Sequence, residues 1–208
     1  MWVVKLGGSL MGTPALIGWL NALTKFGDGK VVIVPGGGVF ADAVRDAQAK
    51  TGIDDATAHQ MAVLAMDQYA MLMAGLNAAL VMASSELEIA ECGWQHRAVL
   101  WKPSAMVLAD QELPMSWDLT SDSLAAWLAA KLNAQHLLIV KSLSEEIGAN
   151  IDVDRLIEAG WLDKCFAQYA SHHCFKVWIL AKEDYVKITQ KIRHQSSPEM
   201  GTQIFTRS

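Results

Sequence analysis

The sequence predicts an α/β fold in which a parallel sheet is covered by helices on both faces. Three observations predict it. Short, wholly apolar runs such as 2–6 and 31–34 are typical of buried parallel strands. Stretches with helical spacing of apolar residues follow most of these runs, so strands and helices alternate along the chain. Of the 208 residues, 52% are apolar, which is enough for a large core.

The predicted elements follow from local signals along the chain. Thr13 is a candidate N-cap before Pro14, Gly27 is expected to end that helix, and Gly52 to end the next one. The predicted strands are residues 2–6, 31–34, 98–101, 105–108, 136–141, 175–180 and 202–205. The predicted helices are 14–26, about 39–50, 57 to about 82, 124–132, 152–160 and 182–193.

The third of these helices is long and rich in methionine. Thr57 and Gln60 have the spacing of a capping box at its start. Its methionines are Met61, Met66, Met71, Met73 and Met82. Apolar residues lie nearly all round the helix, so it is either a central core helix or a helix at a subunit interface, and methionine suits both. The second alternative predicts a homodimer or a higher homo-oligomer.

Composition excludes several classes of protein. The net charge of −5 argues against a nucleic-acid-binding protein that neutralises phosphates. Asp67, Gln68 and Asn77 interrupt the most apolar stretch, 61–83, so we expect a buried helix there and no membrane partner. Three scattered cysteines do not suggest a disulfide framework, and the first residues lack the features of a signal peptide. A cytoplasmic protein is expected.

Polar turns at the ends of predicted strands are the candidate site. They are Lys5-Leu-Gly-Gly-Ser9, Pro35-Gly-Gly-Gly38 and Asp118-Leu-Thr-Ser-Asp-Ser123, and Lys141 ends a fourth strand. Ligands of open α/β sheets collect at the carboxyl ends of strands, and bare glycine amides before a helix bind anions. Lys5 would bridge two phosphates, and Asp122 would orient the lysines or hold Mg²⁺.

Each of these features also has a simpler interpretation when it is taken singly. A Gly-Gly pair after a strand is usually only a turn, and a lysine at a strand end is usually solvated. Asp118 or Asp122, just before or inside the first turn of a helix, is usually a cap or a favourable charge on the helix dipole. Only the combination of these features, in this order along the chain, favours phosphoryl transfer.

That combination resembles the amino acid kinase family, which includes acetylglutamate, aspartate and uridylate kinases. Lys5-Leu-Gly-Gly-Ser9 is similar to the opening Lys-x-Gly-Gly-Ser turn of the family, and Val34-Pro-Gly-Gly-Gly38 to its acceptor loop. Thr120-Ser-Asp-Ser-Leu-Ala125 is similar to the segment whose aspartate organises the catalytic lysines. Gly201-Thr-Gln-Ile204 is similar to the closing Gly-Thr-x-Ile strand.

The resemblance implies a three-layer αβα sandwich with an open, mainly parallel sheet, formed by one domain over residues 1–208. Its N-terminal part, about 1–133, would bind the acceptor, and its C-terminal part, about 134–208, would bind ATP, with Mg²⁺ carried by the nucleotide rather than by a protein cluster. The implied catalytic residues are Lys5, Asp122 and Lys141. The implied nucleotide and phosphate contacts are Gly7, Gly8, Ser9, Gly201 and Thr202. The implied acceptor contacts include Gly36, Gly37, Gly38, Thr120 and Ser121.

Three segments resemble a small archaeal-type branch of the family, namely Ala58-His-Gln-Met-Ala62, Met66-Asp-Gln-Tyr69 and Trp117–Trp127. That branch includes a kinase of an aminomethyl-furanylmethyl phosphate in methanofuran synthesis. The resemblance implies an acceptor with an amine, a furan ring and a phosphate.

Four residues are candidates for contact with such an acceptor. Asp67 or Asp118 would pair with the amine. Arg45, one turn into the helix after the glycines, would meet the phosphate or simply lie on a solvated helix face. His59 would pack or cap within its helix, or contact the substrate.

One departure from the family pattern keeps a non-catalytic protein open as an alternative. The family strand before the nucleotide turn usually leads into a Thr-Asp sequence, but here the chain reads Val140-Lys-Ser-Leu-Ser-Glu-Glu146. The missing aspartate calls nucleotide binding into question. A member of the fold that binds a small molecule, or serves as a scaffold, fits the same sequence.

Two further interpretations are weaker. Gly36-x-Gly38-x-x-Ala41 fits a dinucleotide fingerprint, and Asp54 or Asp55 has roughly the required spacing for an NAD(P)-dependent oxidoreductase, but no strand pattern precedes them. His172-His173-Cys174, with Cys165 nearby, suggests a metal site, but adjacent histidines rarely bind one ion and no paired C-x-x-C occurs. No G-x-x-x-x-G-K-[ST] sequence occurs, which excludes a P-loop.

Overall fold

The computed structural model describes residues 1–142, 150–171, 175–188 and 202–205. Its strands are β1 (Trp2–Leu6), β2 (Val31–Pro35), β3 (Val81–Ala83), β4 (Val99–Trp101), β5 (His136–Lys141), β6 (Asn150–Asp152), β7 (Lys176–Ala181) and β8 (Thr202–Phe205). Its α-helices are α1 (Pro14–Phe26), α2 (Gly38–Thr51), α3 (Asp55–Leu76), α4 (Glu86–Trp94), α5 (Ser104–Val107), α6 (Ser121–Lys131), α7 (Val153–Glu158) and α8 (Phe166–Ala170). Residues 185–188 are also helical.

The eight described strands form one sheet in the order β3-β4-β2-β1-β5-β7-β8-β6. All neighbouring pairs are parallel except β7 and β8, so the sheet is mainly parallel as the sequence predicts. Short apolar strands buried on both faces account for this arrangement, because a parallel sheet needs helices on each side.

Alternate residues of the strands face two different hydrophobic cores. Val3 and Ile139 pack on one side with α6, α7 and α8. Val4 and Val140 pack on the other side with α1 and the C-terminal half of α3. The sheet therefore lies between two helical layers, which confirms the three-layer αβα sandwich.

Most of the predicted helix boundaries agree with the structure. α1 begins after Thr13 and ends before Gly27, and α2 ends at Gly52 in the left-handed conformation that glycine tolerates best. The side chain of Thr13 does not cap α1; its hydroxyl donates instead to the carbonyl of Leu10 at 2.7 Å. The backbone signals therefore placed α1 correctly even though the expected cap contact does not form.

The long methionine-rich helix differs from the prediction at both ends. Its N-cap is Asp54, whose carboxylate accepts the N–H of Thr57 at 2.7 Å, so the predicted capping box at Thr57 is wrong. The helix ends at Leu76, and Met82 lies on β3. A turn stabilised by the Asn77 side chain separates the two elements.

Other short elements were predicted wrongly or not at all. Residues 105–108 were expected to form a strand, but they belong largely to helix α5. Asp67 of α3 accepts hydrogen bonds from the backbone and hydroxyl of Ser104, at 3.2 and 2.5 Å, and so stabilises the start of α5. The strands β3 and β6 and the helices α4 and α8 are not among the predicted elements. In the predicted helix 182–193, residues Lys182–Asp184 form a 3-10 turn, and 189–193 lie outside the described residues.

The sheet brings the carboxyl ends of three central strands together. In the register of the sheet, Leu6 at the end of β1 lies opposite Pro35 of β2 on one side and Val140 of β5 on the other. The glycines after β1, the glycines after β2 and Lys141 of β5 therefore emerge side by side at one edge.

Candidate active site

The two glycine turns are in direct contact. The N–H of Gly36 donates to the carbonyl of Leu6 at 2.9 Å. A β-carbon on Gly36 would lie 2.6 Å from the backbone nitrogen of Gly8, which is closer than any side chain can approach. Gly38, the first residue of α2, has a φ of 55°. Glycine is thus required here by close backbone approach and by one left-handed residue.

A cluster of three charges lies beside these turns, in which Lys5 and Asp122 are buried and Lys141 is partly exposed. Lys5 is on the face of β1 that it shares with Val3, and this face packs against α6. Asp122 is in the first turn of α6, where its charge also suits the helix dipole. The carboxylate of Asp122 is 2.8 Å from Nζ of Lys5 and 2.6 Å from Nζ of Lys141. The structure therefore brings together all three predicted catalytic residues.

The cluster determines the ionisation of its members. Burial alone would raise the pKa of Asp122, but the ammonium groups of Lys5 and Lys141 together lower it below its usual value. Burial and the neighbouring Lys5 lower the pKa of Lys141, and Asp122 offsets only part of this effect. The cluster holds two cations and one anion, so it carries a net positive charge beside the bare glycine turn.

Ser9 connects the two strand ends beside the cluster. The hydroxyl of Ser142, the residue after β5, donates to the hydroxyl of Ser9 at 3.1 Å. Ser9 also lines a cavity whose wall includes Gly8 of the same turn. The opening turn therefore adjoins the charged cluster through Gly7 and the cavity through Gly8 and Ser9.

The cavity has a volume of about 510 Å³ and lies between α2, α3 and the start of α6. Its wall includes Gly8, Gly37 and Gly38 from the glycine turns and Thr120 and Ser121 from the start of α6. Each of these is a predicted acceptor or phosphate contact. The two glycine turns and the α6 segment therefore surround one space, although Lys5, Asp122 and Lys141 are not among the residues that line it.

A charged and aromatic group lines the outer part of the cavity. The guanidinium of Arg45 lies 4.4 Å from the ring centre of Trp117 and pairs with Asp42 at 2.8 Å. The indole N–H of Trp117 donates to Gln48 at 2.7 Å, which fixes the ring against α2. Arg45 is thus held over an aromatic surface and beside an acidic residue, all within reach of a bound molecule.

His59 lies on the α3 side of the cavity and is almost wholly buried. Its Nδ1 lies 3.2 Å from the carbonyl oxygen of Ser116. Burial lowers the pKa of His59, and the contact with Ser116 opposes this only in part. His59 therefore lines the cavity as a neutral imidazole near pH 7.

The family model for the amino acid kinase family matches residues 1–144. The chain belongs to the amino acid kinase family. Over 145 residues it is 29% identical to the [5-(aminomethyl)furan-3-yl]methyl phosphate kinase of Methanocaldococcus jannaschii, and this similarity covers 67% of the chain and 64% of that relative. The match thus spans just under two thirds of the relative's length.

Solved structures of three kinases share the fold at low sequence identity. The uridylate kinase of Archaeoglobus fulgidus is 15% identical with a TM-score of 0.70, covering 98% of this chain and 99% of its own. The UMP kinase of Bacillus anthracis is 13% identical with a TM-score of 0.74, covering 100% and 96%. The aspartate kinase of Synechocystis is 16% identical with a TM-score of 0.68, covering 100% and 40%. The fold of this chain is therefore shared with enzymes that are named for different substrates.

Some predicted site residues lie away from the cavity in this member of the amino acid kinase family. Asp67 binds Ser104, and Asp118 pairs with Lys164 at 2.8 Å on the surface. Neither lines the cavity, so the structure does not support either as the partner of an amine there. Thr202 is buried in β8, which β7 separates from β5, and Gly201 lies outside the described residues.

Two alternative interpretations can be compared with the structure. Asp54 caps α3 directly after α2, and no strand comes between them, so the acidic residue of a dinucleotide fingerprint is not in place. His172, His173 and Cys174 lie outside the described residues. Within the described part of the chain, no group of three or more His, Cys, Asp or Glu side chains could hold a metal, and no helix is long and apolar enough to cross a membrane.

Sequence reasoning missed three residues around the site. Asp42 and Trp117 line the cavity, but the sequence marks Asp42 by no motif and Trp117 only as the first residue of one. Asp163, between α7 and α8, accepts hydrogen bonds from the backbone and hydroxyl of Thr120 at 3.0 and 2.7 Å. Asp42 is one helical turn before Arg45, and this spacing could have indicated that the two residues lie side by side. Nothing near Asp163 in the sequence indicates its contact with Thr120.

Proposed function

We propose that this amino acid kinase transfers the γ-phosphoryl group of ATP to a small acceptor bound in the cavity. The observation that carries the proposal is the position of Asp122 between the ammonium groups of Lys5 and Lys141. This cluster adjoins the opening glycine turn at Gly7, and Gly8 and Ser9 of the same turn line the cavity. A phosphate bound at the cluster and an acceptor bound in the cavity would meet beside this turn.

The chemistry of phosphoryl transfer suits these groups. Charge spreads over the oxygens of the transferred group, so catalysis depends on cations and hydrogen-bond donors in fixed positions. Lys5 and Lys141 supply the cations, and Asp122 fixes both ammonium groups without neutralising the pair. Mg²⁺ bound to the nucleotide phosphates would neutralise further charge, as is usual for a hard cation held by phosphate oxygens.

Bare backbone supplies the remaining donors. A β-carbon on Gly7 would lie 3.5 Å from Nζ of Lys5 and 3.6 Å from the carbonyl oxygen of Val140. A side chain there would occupy the space directly over the lysine. Glycine leaves that space open, so the backbone of the turn and the Lys5 ammonium are available to the same phosphate group.

An aminomethylfuran phosphate is the acceptor that we propose, because the curated relative is named for that substrate. The outer cavity offers a partner for each part of such a molecule. Arg45 and the N-terminus of α2 suit the phosphate, Trp117 suits the ring, and Asp42 suits the amine. The assignment of the amine to Asp42 replaces the earlier expectation of Asp67 or Asp118.

The two parts of the chain would then have separate tasks. The cavity is lined entirely by residues between Gly8 and Leu124, which supports acceptor binding by the N-terminal part, about 1–133. The C-terminal part, about 134–208, would bind ATP, with contacts from Gly201 and Thr202. We place the enzyme in the cytoplasm and propose that it forms a homo-oligomer through the exposed face of α3.

A non-catalytic member of the family is the second candidate. The turn after Lys141 lacks the aspartate of the family pattern, and this observation favours a protein that binds the small molecule but not ATP. Such a protein would keep the cavity and the sheet. It would have no use for two ammonium groups beside a bare glycine turn.

Thermal unfolding with and without ligands distinguishes these functions. We expect Mg-ATP to raise the melting temperature of the wild type and to raise it much less in Lys5→Ala, because only binding to the folded state stabilises it. Lys50→Ala, at an exposed lysine in the last turn of α2, is the matched control and should respond like the wild type. Candidate acceptors are then tested for ADP release. A shift with NADH alone, or no shift with Mg-ATP, would contradict the kinase.

A further inference from the structure

Asp163 holds the start of α6 from a distant part of the chain. Its Oδ2 accepts the N–H of Thr120 at 3.0 Å, the hydroxyl of Thr120 at 2.7 Å and the N–H of Ser123 at 3.1 Å. Its Oδ1 accepts the hydroxyl of Ser123. A single carboxylate therefore accepts hydrogen bonds from the backbone and the side chain of both Thr120 and Ser123, which flank Asp122 in the sequence.

This contact replaces a local helix cap. Thr120 is the N-cap of α6, but its own side chain makes no capping hydrogen bond. The first N–H groups of a helix need acceptors, and a negative charge at that end is favourable. Asp163 satisfies both requirements from the loop between α7 and α8. The geometry of the first turn of α6 thus depends on a residue of the C-terminal part.

The same loop holds the preceding residues as well. The N–H of Cys165 donates to the carbonyl of Asp118 at 3.2 Å, and Lys164 pairs with the Asp118 side chain. Three consecutive residues, 163–165, therefore bind the segment 118–123. That segment lines the acceptor cavity with Thr120 and Ser121 and carries Asp122 into the charged cluster.

We infer that Asp163 is a positioning residue for phosphoryl transfer, which holds Asp122 between Lys5 and Lys141 and couples the C-terminal part to the acceptor cavity. The inference rests on the proposed kinase function. Ser123 is wholly buried, so its N–H and hydroxyl have no access to water if the carboxylate is lost. The first turn of α6 would then rearrange, and Asp122 lies within it.

The kinetic test compares Asp163→Asn with Asp54→Ala. Asp54 caps α3 through the N–H of Thr57 and makes no contact with the charged cluster, so Asp54→Ala controls for loss of a helix cap. We expect Asp163→Asn to lower kcat about 10- to 100-fold, as small misplacements of catalytic groups do, with the KM for ATP nearly unchanged. Asp54→Ala should lower the melting temperature and leave kcat near the wild-type value. Equal kcat in both variants at a temperature where both are folded would overturn the inference.

A crystal structure of Asp163→Asn gives a readout that does not require turnover. We expect the Asp122 carboxylate to move out of contact with at least one of the two lysines while the sheet stays unchanged. If Asp122 keeps both contacts, the positioning role is wrong. If the wild type shows no turnover with any acceptor and no binding of ATP, the proposed function fails instead, and the variant structure still decides the role of Asp163.

Discussion

Gly8 lies so close to Gly38 that a β-carbon on Gly8 would be 2.4 Å from both the nitrogen and the Cα of Gly38. The first glycine turn and the first residue of α2 therefore touch backbone to backbone. Since real β-carbons do not approach other atoms this closely, even a methyl group at Gly8 must push the two turns apart. The contact joins the turn beside Lys5 to the wall of the acceptor cavity.

Gly8→Ala is therefore expected to destabilise the protein and to abolish its activity, whereas Gly7→Ala should fold. A β-carbon on Gly7 would meet atoms only at 3.5 Å or more, which is ordinary contact. It would nevertheless cover the space over Lys5, so the expected result for Gly7→Ala is a near-normal melting temperature with a higher KM for ATP. Thermal unfolding and initial rates check both variants. A stable, fully active Gly8→Ala variant would show that the two turns are not in contact.

Asp122→Asn is expected to cost far more than Asp118→Asn in both turnover and stability. Removal of the charge leaves the buried Lys5 ammonium without its partner, and breaking a buried ion pair in this way costs about 3–5 kcal/mol. Asp118 is half-exposed and its pair with Lys164 is at the surface, so its loss should hardly affect unfolding. Urea unfolding and kcat measurements at pH 7 check this. Equal losses in the two variants would contradict the assigned roles.

The stability difference between the wild type and Asp122→Asn should also depend on pH. The pKa of Asp122 is lowered in the folded chain, so its contribution is fully present above the ordinary aspartate pKa of about 3.9. It is lost as the pH falls through the lower, folded-state value. Urea unfolding between pH 7 and pH 3 should therefore show the two proteins converging only at the acid end.

Lys141 is expected to set the alkaline limit of activity. Burial and the charge of Lys5 lower its pKa below the ordinary lysine value of about 10.4, so its ammonium is lost before that of an exposed lysine. The rate should fall as the pH rises through this lowered value. Lys141→Arg should shift the alkaline limb to higher pH, because guanidinium stays charged. Lys164→Arg, at an exposed position, is the control and should leave the pH–rate profile unchanged. If the alkaline fall in rate does not move in Lys141→Arg, a group other than Lys141 causes it.

The sequence predicted the parts of the site that depend on local signals. Strand ends and helix starts correctly predict the positions of the glycine turns, Lys5, Lys141 and Asp122. These positions are predictable because close backbone contacts and helix starts require particular residue types at neighbouring positions in the sequence. Asp163 could not be predicted in this way. Its contacts with Thr120 and Ser123 arise only when the loop after α7 packs on α6, and no periodic pattern encodes that packing.

The errors in the fold have the same origin. Residues 105–108 form an apolar run too short to show a helical or a strand period, and the structure makes part of it helical through the Asp67 carboxylate on α3. Asp54, rather than Thr57, caps α3 because an aspartate three residues earlier can reach the Thr57 N–H. In both cases the local sequence is compatible with two structures. A tertiary contact selects the helix at 105–108, and a competing cap residue selects the start of α3.

The exposed face of α3 is expected to form the subunit interface. Leu64 and Met71 are 48% and 59% exposed on this helix, although both are large and apolar. Leu64→Asp and Met71→Asp together should convert an oligomer into a monomer, because a buried interface does not tolerate unpaired charges. Leu87→Asp on α4, where the side chain is 70% exposed, is the control. Light scattering measures the mass, and a wild type that is monomeric at high concentration would remove this interface.

Arg45 and Asp42 are expected to select an acceptor that carries both a phosphate and an amine. Their mutual ion pair is 2.8 Å long, but both side chains are largely exposed, and exposed pairs of this kind are weak. An acceptor that carries a phosphate and an amine can pair with Arg45 and Asp42 in place of their mutual ion pair, and little free energy is lost when that weak pair breaks. Arg45→Ala should therefore raise the KM for every phosphate-bearing acceptor, and Asp42→Asn should raise it only for those that also carry the amine.

The experiment compares an aminomethylfuran phosphate with its analogue that lacks the amino group. The wild type should prefer the amine-bearing acceptor in kcat/KM, and Asp42→Asn should lose most of this preference because the amine then has no anionic partner. Asp46→Asn, one turn further along the same helix from Asp42, is the matched control and should keep the preference, since Asp46 does not line the cavity. An unchanged preference in Asp42→Asn would show that another group binds the amine, or that the acceptor carries none.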